Sequence, residues 1–73
     1  MMESLQLMEL IERVTEALLK DPRTRNSVIE VANDRGIVTL KGTVEKEQIR
    51  QAAEEIAYEQ KGVITVINEI KVS

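Results

Sequence analysis

The chain has 73 residues, of which 42% are hydrophobic, and carries a formal net charge of −3 at pH 7. A chain of this length forms one domain with a small core, and the absence of cysteine excludes disulfides and thiolate metal sites. Tyr58 is the only aromatic residue and histidine is absent, which removes stacking platforms for bases and the commonest general base. We therefore expect a single domain over residues 1–73 that is not an enzyme, binds no nucleic acid and holds no metal or cofactor.

Apolar residues recur at steps of three and four from about residue 4 to residue 20, which predicts an amphipathic first helix. Asp21 and Pro22 end it. The predicted buried stripe consists of Leu7, Leu10, Ile11, Val14, Ala17 and Leu18. Leu5 and Met8 lie off this stripe, so we predict that they contact a partner or a second copy of the chain.

Two runs of strand-forming residues follow, at residues 28–32 and 37–44, and the polar segment from Asn33 to Gly36 separates them. Gly36 tolerates a positive φ, so the segment predicts a hairpin in which Ala32 lies opposite Ile37. Alternation along both strands then places four residues on the core face, namely Ile29, Val31, Val38 and Leu40. Gly42 falls on the same face, where we expect it to make room for the backbone of a neighbouring segment.

A second helix is predicted from about residue 46 to residue 60, and a third strand from residue 63 to residue 72. The helix buries a stripe of Ile49, Ala52, Ala53, Ile56 and Ala57. The strand places Val66, Asn68, Ile70 and Val72 on one face. Because Asn68 is polar and points to the apolar side, we expect it to close a loop or a helix end by hydrogen bonding.

These elements predict an α+β fold of the type αββαβ, with a three-stranded mixed sheet and both helices packed on one face. A right-handed crossover brings the third strand parallel to the second. We expect the third strand to lie beside the second strand. A right-handed crossover would also allow it to lie beside the first strand. The opposite face of the sheet is then open, and we predict partner contacts there at Val28, Ile37 and Ile67.

Basic residues cluster between the first helix and the first strand, at Lys20, Arg23 and Arg25. We predict that this loop contacts an anion such as a lipid phosphate, with Arg35 of the hairpin as a further contact. A solvated loop beside the acidic helix surface is the alternative interpretation.

No apolar run reaches the roughly 20 residues that a membrane-spanning helix needs. The first residues also lack the basic start and the small-residue cleavage site of a signal peptide. The sequence as it stands therefore predicts a cytoplasmic protein. If it is an excised or mature domain, we expect the periplasm or the cell envelope instead.

Several segments, taken in order, resemble a BON domain. They are Asp21-Pro22 with Thr24; Ile29 and Val31; the strand from Gly36 to Val44; Arg50, Ala53, Ile56 and Ala57; and Gly62-Val63 with Val66, Asn68, Ile70 and Val72. BON domains occur in bacterial osmotic-shock proteins, outer-membrane lipoproteins, secretin-associated proteins and channels. The resemblance implies an αββαβ fold and a role in association with phospholipids or the cell envelope.

Two functions from different classes are compatible with these observations. The first, implied by the resemblance, is a non-catalytic module that binds phospholipid headgroups at the cell envelope. The alternative is a protein-interaction or self-association domain that uses the first helix and the open sheet face. A homo-oligomer is compatible with the alternative.

Overall fold

A computed structural model describes residues 9–73 and contains two helices and three strands. Their bounds are α1, Leu10–Lys20; β1, Ile29–Asp34; β2, Ile37–Val44; α2, Glu47–Tyr58; and β3, Thr65–Val72. The strand order is β1-β2-β3, with β1 antiparallel and β3 parallel to β2. The predicted αββαβ order, the mixed sheet and the place of the third strand beside the second are confirmed.

The first helix begins later than the periodicity predicts. Glu9 is the N-cap of α1, and its main-chain N–H donates to Glu12 Oε1 at 2.9 Å. Residues 4–8 of the predicted helix, with Leu5, Leu7 and Met8, lie outside the described residues. The prediction that Ile11 is in the core is wrong, because this side chain is 37% exposed while Leu10 packs against the core. Consecutive helical residues point about 100° apart, so only one of the two can face the sheet.

The loop after α1 is fixed by a buried threonine. Asp21 is the C-cap of α1, and its main-chain N–H donates to the Ala17 carbonyl at 3.1 Å. Thr24 is buried, and its hydroxyl donates to the Leu18 carbonyl at 2.6 Å. That carbonyl belongs to the last turn, where no intrahelical donor is available. Thr24 therefore caps α1 and sets the direction in which the chain leaves it.

The hairpin turn is shorter than predicted. Strand β1 continues to Asp34, which pairs with Ile37, so that Ala32 lies opposite Thr39 and not opposite Ile37. The predicted register is therefore wrong by two residues. Because side chains alternate with a period of two, a shift of two leaves every side chain on its predicted face.

Only Arg35 and Gly36 form the turn. Their φ angles are 55° and 94°, and two positive values are the signature of the type I′ turn that joins twisted antiparallel strands. The side-chain Oδ1 of Asn33 accepts a hydrogen bond from the Gly36 N–H at 2.8 Å and closes the turn. The sequence prediction failed because arginine rarely adopts a positive φ, so Arg35 gave no signal for this conformation.

The core is aliphatic and lies between the sheet and the two helices. Its buried members are Val14, Leu18, Val38, Leu40, Val44, Ala53, Ile56, Ala57 and Ile70. The small side chains of Ala53 and Ala57 let α2 approach the sheet closely. The predicted core faces of the three strands and of α2 agree with this cluster.

Gly42 lies on the core face of β2, beside the start of β1. Its φ is 151°, and a Cβ atom there would lie 2.7 Å from the Val28 carbonyl oxygen and 3.6 Å from Ile29 Cα. No side chain fits in that space. Gly42 therefore makes room for neighbouring backbone, as predicted.

Candidate binding surfaces

The four basic residues predicted to contact an anion do not form one cluster. Lys20, Arg23 and Arg25 belong to the end of α1 and the loop that follows it. Arg35 occupies the hairpin turn at the other end of β1, roughly 20 Å away at about 3.3 Å per strand residue. Its Nε lies 3.4 Å from Asp34 Oδ1, and both side chains are exposed.

Arg23 is held by two carboxylates. Its Nε and Nη2 donate to Oδ1 and Oδ2 of Asp21, each at 3.0 Å, and its Nη1 donates to Glu55 Oε1 at 3.2 Å. The bidentate pair fixes the loop, and the bond to Glu55 joins the loop to α2. The guanidinium and then the main-chain N–H of Arg23 lower the pKa of the Asp21 carboxyl, and the same pairing raises the pKa of Arg23. An anion at Arg23 would compete with both carboxylates.

The lowered pKa of Asp21 predicts a contribution to stability that depends on pH. Its sign follows from the direction of the shift: the contribution is present above the unfolded-state pKa of about 3.9 and is lost as pH falls through the folded-state value. We expect Asp21→Asn to have a lower Tm than the wild type at pH 7 and the same Tm near pH 2. Thermal unfolding across this range measures the difference. In an Arg23→Gln background, where the main-chain N–H of residue 23 still donates to Asp21, the pH dependence should be smaller, and a dependence of undiminished size there would contradict the assignment to the guanidinium.

Arg25, the next cation of this loop, lies beside two strongly exposed apolar side chains. Val28 is 90% exposed and Leu19 is 58% exposed, and both line a shallow depression with Arg25 between the end of α1 and the start of β1. Within residues 9–73, no carboxylate lies within 4 Å of Arg25. Lys20 follows Leu19, and its one ion pair among the described residues is an exposed contact of 3.6 Å with Glu16. We call Leu19, Lys20, Arg25 and Val28 the α1–β1 patch.

Sequence reasoning missed Leu19 as a surface residue. The helical spacing places Leu18 in the core, and its neighbour Leu19 therefore points away from the sheet. The signal was available, because Leu19 lies off the predicted apolar stripe and next to the basic cluster.

The predicted apolar partner contacts are only partly brought together. Ile37 and Ile67 are diagonal neighbours on the open sheet face, and both are partly exposed. Val28 precedes β1 and lies at the end of the sheet opposite Ile37, so the structure does not bring it together with Ile37 and Ile67. Leu5 and Met8 lie outside the described residues. Partner binding at Ile37 and Ile67 stays a prediction.

Asn68 joins the edge strand β3 to α2. Its Nδ2 donates to the Arg50 carbonyl at 3.0 Å and to Glu54 Oε1 at 3.1 Å, while its Oδ1 accepts a bond from the Ile70 N–H at 3.1 Å. The expected hydrogen-bonding role is therefore present, but the partner is the body of α2 and not a loop or a helix end. This connection positions α2 along the outer edge of the sheet.

Arg50 completes the protection of β3 at Ile70. Its Nε donates to the Ile70 carbonyl at 3.2 Å, and its Nη1 donates to Glu47 Oε2 at 2.8 Å. The N–H and the carbonyl of Ile70 thus both have side-chain partners on the side away from β2. This part of the strand edge is closed to another strand.

All of these surfaces lie on a small α+β fold in which two helices cover one face of a three-stranded sheet. The chain belongs to the BON domain family, which it matches over residues 8–73. The resemblance noted in the sequence is thereby confirmed, and membership is consistent with a non-catalytic binding module. No curated protein matches the chain. Neither helix of the described chain has the length and apolar character required to cross a bilayer.

Proposed function

We propose that this domain is a non-catalytic module that associates with anionic phospholipid surfaces through the α1–β1 patch. The observation that supports the proposal is the position of two exposed apolar side chains, Leu19 and Val28, beside the cation Arg25, with Lys20 as the next residue after Leu19 at the end of α1. A lipid surface offers both matching environments, since phosphate groups lie directly above the acyl region. The apolar side chains would enter the boundary between headgroups and acyl chains, and the cations would stay among the phosphates.

The magnitudes predict weak and salt-sensitive binding. Each Lys or Arg near an anionic bilayer contributes about 1 kcal/mol, and burying an aliphatic side chain contributes about 1.5 to 3 kcal/mol when burial is complete. The patch has two cations and two aliphatic side chains, while the whole chain carries a net charge of −3 that opposes approach. Screening over about 8 Å at physiological ionic strength weakens the cationic share further.

We expect the domain to sediment with phosphatidylglycerol vesicles at low salt and to be released as salt rises toward physiological strength. Phosphatidylcholine vesicles should retain little of it, since they carry no net charge. The double variant Arg25→Glu with Val28→Asp should abolish binding, because it reverses one charge and removes the most exposed apolar side chain. Co-sedimentation with each vesicle type measures the bound fraction.

Arg35→Glu with Ile37→Asp is the matched control. It also replaces one arginine and one aliphatic residue by acidic residues, and it changes the net charge by the same amount, but at the opposite end of the sheet. Vesicle binding by this variant should therefore match that of the wild type. Equal loss in both double variants would show that only net charge matters. Binding that survives Arg25→Glu with Val28→Asp would exclude the α1–β1 patch as the lipid contact.

A further inference from the structure

Part of the outer edge of β3 has main-chain groups that form no hydrogen bond with any of residues 9–73. In a strand, the N–H and carbonyl of one residue point to the same side, and successive residues alternate. The main-chain N–H and carbonyl of Ile70 point away from β2, toward the side chains of Asn68 and Arg50. The N–H of Ser73 points toward β2 and donates to the Val44 carbonyl at 2.9 Å. The main-chain N–H and carbonyl groups of Val66 and Asn68 therefore also point away from β2, and no described residue forms a hydrogen bond with them on that side.

Helix α2 runs along this edge and forms a wall above it. The contacts that join the two elements, in order along α2, are Arg50 to Ile70, Glu54 to Asn68, and Tyr58 to Thr65. The outer surface of α2 next to this edge has a depression lined by residues of the helix, among them Arg50, Glu54 and Tyr58, and we call this depression together with the adjacent open edge of β3 the groove. The helical wall of the groove is acidic, since Glu54 and Glu59 line it, while the third carboxylate there, Glu55, is paired with Arg23. The end of the groove is defined by Arg50, which closes the edge at Ile70.

We propose that this groove binds an extended basic peptide segment, which adds to β3 as a fourth strand. The outward N–H and carbonyl groups of Val66 and Asn68 offer two donors and two acceptors, the pattern that a pairing strand requires. Alternate side chains of the peptide would then meet the acidic wall, where lysine or arginine has the complementary charge. The remaining side chains would continue the open sheet face beside Ile67.

A second copy of this chain fits the groove less well. Pairing of β3 with β3 of another copy about a two-fold axis would place both α2 helices on the same side of the joined sheet. Glu54 and Glu59 would then face the same carboxylates across the junction, and like charges repel at that separation. A basic segment from another protein has the opposite charge at these positions.

The probe for the test is a fluorescein-labelled hexapeptide of alternating lysine and valine. We expect saturable binding by fluorescence anisotropy, together with slower hydrogen exchange at the amides of Val66 and Asn68. Glu54→Gln with Glu59→Gln should raise the Kd roughly fivefold, since each exposed charge pair contributes modestly. The amide oxygen that this change introduces at position 54 keeps an acceptor for Asn68, so the strand edge should stay in place. Glu16→Gln with Glu30→Gln makes the same change in net charge away from the groove and should leave the Kd within about twofold.

Three results would overturn the proposal. The first is unchanged exchange at both amides when the peptide is bound. The second is equal affinity for a peptide with glutamate in place of lysine, or for peptides N-methylated at every second residue in either phase. The third is hydrogen exchange at the two amides that slows when the protein concentration is raised without peptide. This result would show that a second copy of the chain occupies the edge.

Discussion

Replacing Leu40 by alanine is expected to lower the free energy of unfolding by about 2 to 5 kcal/mol. Leu40 is fully buried in β2, the central strand, where both helices cover its face of the sheet. Removal of the isobutyl group leaves a cavity that the surrounding aliphatic side chains fill only in part. Urea unfolding followed by circular dichroism gives the difference.

Thr39→Ala is the matched control for this substitution. Thr39 is the neighbouring residue on β2 but lies on the open face, where a lost methyl and hydroxyl leave no cavity. We expect its effect to be about 1 kcal/mol or less. If Leu40→Ala were no less stable than Thr39→Ala, the assignment of faces in β2 would be wrong.

Gly42→Ala should also destabilise the domain strongly, by about 2 to 4 kcal/mol. Two effects add here, since alanine is strained at a φ of 151° and its Cβ would lie 2.7 Å from the Val28 carbonyl oxygen. The start of β1 would have to move away from β2. Thermal and urea unfolding both measure this loss.

Gly62→Ala separates the two effects. Its φ of 102° is also unfavourable for alanine, but the atom nearest to an added Cβ is Arg13 Nη2 at 3.6 Å, an ordinary contact. This variant should therefore show the conformational cost alone, about 1 kcal/mol. Equal losses at Gly42 and Gly62 would mean that the contact with Val28 has no energetic consequence.

The sequence predicted the faces of the strands better than their pairing. Alternation of apolar residues fixes which side of β2 is buried, and this property does not change when the register moves by two residues. The register itself depends on the φ of Arg35, which no property of arginine indicates. Leu10 and Ile11 were both predicted to be buried, because the spacing of apolar residues does not show which of two adjacent positions faces the sheet.

The candidate surfaces were predictable in composition but not in arrangement. The basic cluster is visible in the sequence, whereas its connection to α2 depends on Glu55, which is distant along the chain. Val28 was predicted to be exposed, but on the sheet face and not beside Arg25. The open part of the β3 edge arises from strand order and hydrogen-bond direction, which local patterns do not contain.

The parallel pairing of β2 with β3 has a consequence for the kinetics of folding. Strands β1 and β2 are joined by a two-residue turn, whereas a pair such as Ile37 with Thr65 is separated by the whole of α2. Closing the longer loop costs more chain entropy, so the hairpin is expected to form first and β3 to dock last. By the same reasoning, β3 detaches first when the native domain opens. A ligand that pairs with this strand would therefore slow the opening of the domain as well as occupy its edge.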